Sequence, residues 1–156
     1  MEHCKANCCG PFHGINDNLS SLDGRPFSEI VLTDEDYERL YSSGRSDLIQ
    51  KGTFSANNKK YYKMALNEDG SCKALVNGIC SIYKERPTLC CAFPFYIDMF
   101  SGLCTIMCEG FINRPCTSIS SLEPSLEAAK KMYEFWIKFY TEPEKKKEAD
   151  DFESYD

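Results

Sequence analysis

The sequence predicts a small α+β domain in which β-hairpins and a few helices are assembled around a cysteine-ligated metal centre. Three observations carry this expectation. Apolar runs are punctuated by short turns, Asn77-Gly78 before Ile79 and Ser101-Gly102 before Leu103, which is the pattern of hairpins. Apolar residues recur at intervals of three and four over 122–141, the period of an amphipathic helix. Ten cysteines stand in a chain of 156 residues that is already 42% hydrophobic, so the thiols are not needed to staple a coreless miniprotein. That length fits one domain, which the patterning places at 1–141, followed by a charged, mobile tail at 142–156.

The elements follow in order. Residues 1–16 read as irregular. Cys4 and Cys8 are four apart and share a face of any helical turn formed there, Cys9 points away from them, and Gly10-Pro11 ends the turn. His3 and His13 flank this cluster and read as loop residues rather than ligands. A loop runs to Pro26, then an apolar Ile30-Val31-Leu32. Thr33 is a good N-cap, with Asp34, Glu35 and Asp36 in the first turn and Asp36 placed to reach back as in a capping box. That helix runs to about Ser42, stops at Gly44, and has Tyr37, Leu40 and Tyr41 as its inner stripe. A helical turn is expected near Leu48-Ile49, a strand from Lys60 to Leu66, and a turn at 67–70. A second strand carries Cys72 and Leu75, and a third carries Ile79, Cys80, Ile82 and Tyr83. Arg86-Pro87 breaks that strand, and Pro87 opens a short helix ending near Cys90-Cys91. The runs 93–100 and 103–107 form a second hairpin. In the last helix Leu126, Ala129, Met132, Tyr133, Trp136, Phe139 and Tyr140 make a stripe wide enough to be core rather than a cofactor pocket.

Composition and charge narrow the function classes. A net charge of −6 argues against nucleic acid or an anionic membrane as partner. The first residues lack the basic and apolar regions of a signal peptide, and no run approaches the ~18 apolar residues of a spanning helix. The expected location is therefore the cytoplasm, where thiols stay reduced and a cysteine-rich chain more often holds metal than disulfides.

The cysteine spacing excludes several chemistries. No two cysteines are separated by two residues, which removes zinc-ribbon and zinc-finger spacings, the thioredoxin-type redox motif and the four-cysteine ferredoxin runs. What remains is C-x-x-x-C-C at the N-terminus and Cys72, Cys80, Cys90 and Cys91 spread over the centre. Adjacent side chains in extended structure point to opposite sides, so a Cys-Cys pair suits either two neighbouring metal sites or one ligand beside one core thiol. Cys8 and Cys9 are read as two ligands; Cys90 is read as a ligand with Cys91 left open.

In combination these pieces carry a resemblance. Cys4, Cys8 and Cys9, then Leu32-Thr33 with Asp36, Gly70 with Cys72, Gly78-x-Cys80 with Ile82 and Tyr83, Arg86-Pro87 with Cys90, and Phe93-Pro94-Phe95 resemble the YkgJ-type cysteine-cluster family over roughly residues 4–110. The resemblance implies a zinc- or iron-chelating domain with Cys4, Cys8, Cys9, Cys72, Cys80 and Cys90 as the family thiols. Cys108, followed by Glu109-Gly110, resembles the family's later cysteine. A similar cluster occurs in flagellin lysine-N-methylases. The chain departs from the family at Cys91, where a basic residue is usual, and Cys104 and Cys116 lie outside the pattern.

A thiol-rich ligand set suits zinc or an iron–sulfur cluster rather than magnesium or calcium. The seven candidate thiolates, Cys108 included, match two bridged zinc ions or one four-iron (4Fe-4S) cluster with thiols to spare. Buried thiolates need positive charge nearby, and Lys5, Lys73 and Arg86 are placed in sequence to supply it. Arg86 is the strongest of these, because Pro87 fixes the chain that leads to Cys90; the lysines read better as solvated surface. The leading functional reading is a metal-binding cysteine-cluster protein, with redox or electron transfer open to it. The rival is an enzyme that uses the cluster in catalysis, for example on a side chain of a protein partner. No Ser-His-Asp set, phosphate loop or dinucleotide fingerprint offers an independent active site. A thiol redox sensor is a third reading.

Overall fold

A computed structural model of the chain describes residues 7–10, 29–53, 59–105 and 119–142. Helix α1 (Asp34–Ser42) begins as its sequence dictates. Thr33 Oγ1 accepts from Asp36 N at 3.1 Å while the Asp36 carboxylate accepts from Thr33 N at 3.1 Å, so two amides that the helix cannot satisfy internally are capped reciprocally. The helix ends where Gly44 takes φ +74°, a conformation that a side chain would strain. Its inner face differs from the expected stripe. Leu40 is fully buried, but Tyr41 is 54% exposed and Asp36 is 0% exposed. Tyr37 already occupies the place against Tyr62, with ring centroids 4.1 Å apart, and Tyr41 stacks behind it at 5.8 Å rather than reaching the sheet.

The sheet beneath α1 has three antiparallel strands in the order β1-β3-β2: β1 (Val31–Leu32), β2 (Ile49–Thr53) and β3 (Lys60–Met64). Val31 pairs with Lys63, and Ile49 to Thr53 pair with Met64 to Lys60. A 3₁₀ turn at Ser46–Leu48 precedes β2, matching the expected helical turn, but β2 itself had no sequence signal. It is an edge strand whose Gln50, Lys51 and Thr53 face water and whose buried residue is Gly52, so it lacks apolar alternation. The ring of Tyr61 lies where a Cβ on Gly52 would be, 2.5–2.8 Å away.

Past the turn at 67–70, Leu66 bridges to Cys72, and the hairpin β4 (Leu75–Val76) and β5 (Ile79–Cys80) follows. Asn77 at φ +51° and Gly78 at φ +74° make the tight connection that an Asn-Gly pair favours. Both expected strands are shorter than read. Leu75 N returns to Cys72 O at 2.8 Å, which turns the chain before β4. After Cys80 the chain folds into a 3₁₀ turn, Tyr83–Glu85, because Ile82 is drawn into the core while Tyr83 stays out. Helix α2 (Thr88–Ala92) starts directly after Pro87. The hairpin β6 (Phe95–Asp98) and β7 (Gly102–Thr105) turns where Asp98 accepts from the amides of Phe100 and Ser101 at 2.9 and 2.8 Å.

Helix α3 (Glu123–Thr141) packs on α2 and β6. It buries Ala128, Ala129, Met132 and Phe139, while Trp136 is half-buried and Tyr140 is exposed, since it lies at the margin of the stripe. Its aromatic end meets Val31 and Tyr61, and Lys59 donates to the carbonyls of Phe139 and Glu142 there. The main core gathers Ile30, Leu32, Leu40, Leu48, Met64, Cys72, Ala74 and Ile82, with Cys9, Cys80 and Cys90 packed against it. The fold is thus α+β, and cysteines form part of its centre. Among the described residues no helix is long and apolar enough to cross a membrane. The charged tail after Glu142 lies outside the described residues.

Candidate metal centre

The thiols are brought together by short, tightly turned segments. Cys8 and Cys9 sit on a 3₁₀ turn, Asn7–Cys9, closed by Gly10 at φ +91°. The turn is fastened to the body of the domain by one backbone hydrogen bond, in which Cys72 N donates to Cys9 O at 2.7 Å. This bond places the N-terminal pair directly against the first of the central cysteines. Cys72 itself is buried, held between the bridge to Leu66 and the turn to Leu75. Cys80 ends β5 opposite Leu75, and Cys90 lies in α2.

These five sulfurs share one electrostatic neighbourhood. Cys9 donates to Cys8, and this hydrogen bond, with a smaller contribution from the Arg86 guanidinium, lowers the Cys8 thiol to about 7. The same bond, with burial and the neighbouring Cys8, Cys90 and Cys72, drives Cys9 upward. Burial raises Cys72, and Cys80 and Cys8 add to the effect. Burial pushes Cys90 well up, reinforced by Cys72, Cys8, Cys80 and Cys91. Cys9, Cys72 and Cys90 resist ionising partly because other thiols are close, which is the condition a bound cation reverses. Among the described residues no three His, Cys, Asp or Glu side chains already stand as a metal cage. The described thiols therefore share a locality without a finished coordination polyhedron. A donor set made of sulfur fits zinc or iron.

The remaining candidates fall into three groups. Arg86 is half-buried, lies over the Tyr83 ring at 4.3 Å, donates to Tyr83 O at 3.0 Å and acts on Cys8, as a charge-balancing residue must. Cys91 leaves the cluster: it packs with Ala92, Ala128 and Ala129 and its thiol reaches Arg86 O at 3.6 Å, so the Cys90-Cys91 pair divides between the thiol locality and the α3 interface. Cys104 sits on β7 opposite Tyr96, its thiol 3.5 Å from Gly102 O, and Lys73 is exposed. Cys4, Lys5, Cys108, Cys116, His3 and His13 lie outside the described residues.

One feature had no local signal. The Asp36 carboxylate, read from sequence as a cap for α1 alone, also accepts from Thr88 N at 3.1 Å and Thr88 Oγ1 at 3.0 Å, and from Arg39 Nη2 at 2.6 Å. The partner is 52 positions away, beyond any periodicity.

A family model, CxxCxxCC, described as "Putative zinc- or iron-chelating domain", matches residues 1–117. No curated protein and no solved structure shows significant similarity to the chain.

Proposed function

The chain belongs to this family of zinc- or iron-chelating domains, and we propose that residues 1–141 hold their metal through Cys8, Cys9, Cys72, Cys80 and Cys90, joined by Cys4 and Cys108. The observation that supports this reading best is the Cys72 N to Cys9 O bond, which brings two cysteine motifs some sixty residues apart in sequence into one locality. The raising of Cys9, Cys72 and Cys90 by their thiol neighbours supports it further. Arg86 offsets the negative charge of the thiolates on the Cys8 side.

When bound, zinc supplies a closed cross-link between segments, whereas a four-iron cluster supplies one-electron chemistry. The chain's own part is to desolvate the sulfurs against Leu32, Leu40, Leu48 and Met64, to keep Cys8 at the exposed edge, and to hold the hairpin and α2 at fixed separation. We place the protein in the cytoplasm, where thiols remain available to metal.

Metal analysis of protein purified without oxygen tests the proposal. Colourless protein with stoichiometric zinc, or brown protein absorbing near ~400 nm, supports it. Replacing Cys80 and Cys90 by Ser together then removes the metal. Protein that carries neither zinc nor iron and takes up neither after reconstitution overturns it.

A further inference from the structure

We infer that Asp36 is a positioning residue for the Cys90 thiol, acting from helix α1 as the missing cap of helix α2; the inference rests on the metal-centre reading only in assigning Cys90 a ligand role. Helix α2 is five residues long and follows Pro87, which offers no side-chain cap. An α-helix that short cannot satisfy its leading amides from within. Here the Thr88 amide donates to both Asp36 oxygens at 3.1 Å, and the Thr88 hydroxyl donates to Oδ1 at 3.0 Å.

The carboxylate is 0% exposed and is held in turn by Thr33 N and by Arg39. Arg39 Nη2 extends the network to the carbonyls of Arg86 at 3.3 Å and Glu85 at 3.5 Å, so the same group grips the chain on both sides of Pro87. Cys90 follows Thr88 by two residues within α2, so the carboxylate sets the point from which its sulfur is aimed.

A neutral amide at position 36 presents an N–H group to donors it cannot accept from. Arg39 is exposed and water compensates its charge, so the perturbation lies at the Thr88 amide and hydroxyl, which lose a charged acceptor at a buried site, and thiolate ligands tolerate displacements of only about 0.2 Å from ideal metal distances. The expected damage is local. Cys72 and Cys80 depend on the bridge to Leu66 and on the β4–β5 hairpin, which Asp36 does not touch.

The test compares Asp36→Asn with the parent in two arms. In metal-free protein, iodoacetamide labelling mapped by mass spectrometry is expected to rise about tenfold at Cys90, with Cys72 and Cys80 unchanged. In zinc competition against a chromophoric chelator, affinity is expected to fall about 10–100-fold, the range for residues that orient metal ligands. Uniform acceleration at all three thiols reports general loosening and overturns the inference, as does an unchanged Cys90 rate in folded protein. Should Asp36→Asn fail to fold, Thr88→Val removes the hydroxyl bond alone while keeping shape, and parental Cys90 labelling in that variant overturns it equally. The labelling arm needs no metal, so a parent that binds neither zinc nor iron refutes the metal reading without deciding the labelling result.

Discussion

Loading the centre with metal should reverse the sense in which pH affects stability. In the metal-free protein Cys9, Cys72 and Cys90 hold their protons more tightly than ordinary thiols, Cys9 through its bond to Cys8 and the other two through burial. A raised folded-state pKa contributes stability that is complete below the unfolded value, near 9.0, and is lost as pH climbs through the folded value. Metal-free protein should therefore be insensitive to these groups at neutral pH and lose stability on the alkaline side. Metal binding requires thiolates, so the same three sulfurs become groups of depressed pKa, and their contribution is lost as pH falls. Each proton exchanged is worth about 1.4 kcal/mol per pH unit, so three give a slope of up to about 4 kcal/mol per unit, with half-exposed Cys9 contributing least. Cys8, lowered to about 7, has the opposite sign in the metal-free protein: its contribution grows between about pH 7 and its unfolded value near 9.0, so the alkaline loss is read above that value. The assay is urea unfolding from about pH 6 to about pH 10, once with excess EDTA and once with saturating zinc; carboxylates do not titrate in that window. Metal-free stability that does not fall above about pH 9, or a zinc-loaded slope below about 1 kcal/mol per pH unit between about pH 6 and about pH 8, would refute the reasoning.

Four further outcomes are expected. Deleting residues 1–10 removes the Cys9 carbonyl that holds Cys72 N, so bound metal should drop and backbone exchange at 72–75 should accelerate; unchanged metal content would contradict a shared centre. Phe139→Ala should destabilise by about 3–5 kcal/mol and more than Trp136→Ala, since Phe139 is buried against Tyr61 while Trp136 is half-exposed; urea midpoints showing the reverse order would point to a different role for this face. Gly52→Ala should lose about 1–3 kcal/mol in the same assay, because its methyl would meet a Tyr61 ring that cannot swing away while its hydroxyl binds Glu29; a neutral effect would mean that the ring is free to move. Zinc should protect Cys72, Cys80 and Cys90 from alkylation until EDTA is added, whereas the rates at Cys91 and Cys104, which pack elsewhere, should be indifferent to EDTA; EDTA-dependent labelling of Cys91 would place it in the metal's shell.

Local features were legible where one short stretch carries its own physics. Thr33 with Asp36, Gly44, Asn77-Gly78, Pro87 and the stripe of α3 each state a cap, a turn or a face through backbone geometry and side-chain periodicity, and each appears in the structure. Strand β2 was not legible because an edge strand with one buried glycine shows no alternation. The lengths of β4 and β5 were overestimated because pairing ends where Cys72 and Ile82 are drawn into the core, a demand that comes from Leu40 and Met64 rather than from neighbouring residues.

The site divides in the same way. That this chain offers a sulfur-rich donor set suited to zinc or iron was open to reading from residue type, while adjacency left Cys91 open beside Cys90. Which thiols come together, and that Asp36 reaches past its own helix to Thr88, only the tertiary structure decided. Adjacency and periodicity act over a few residues, whereas the Cys9–Cys72 bond and the Asp36–Thr88 bonds join segments whose approach is set by burying the core between them.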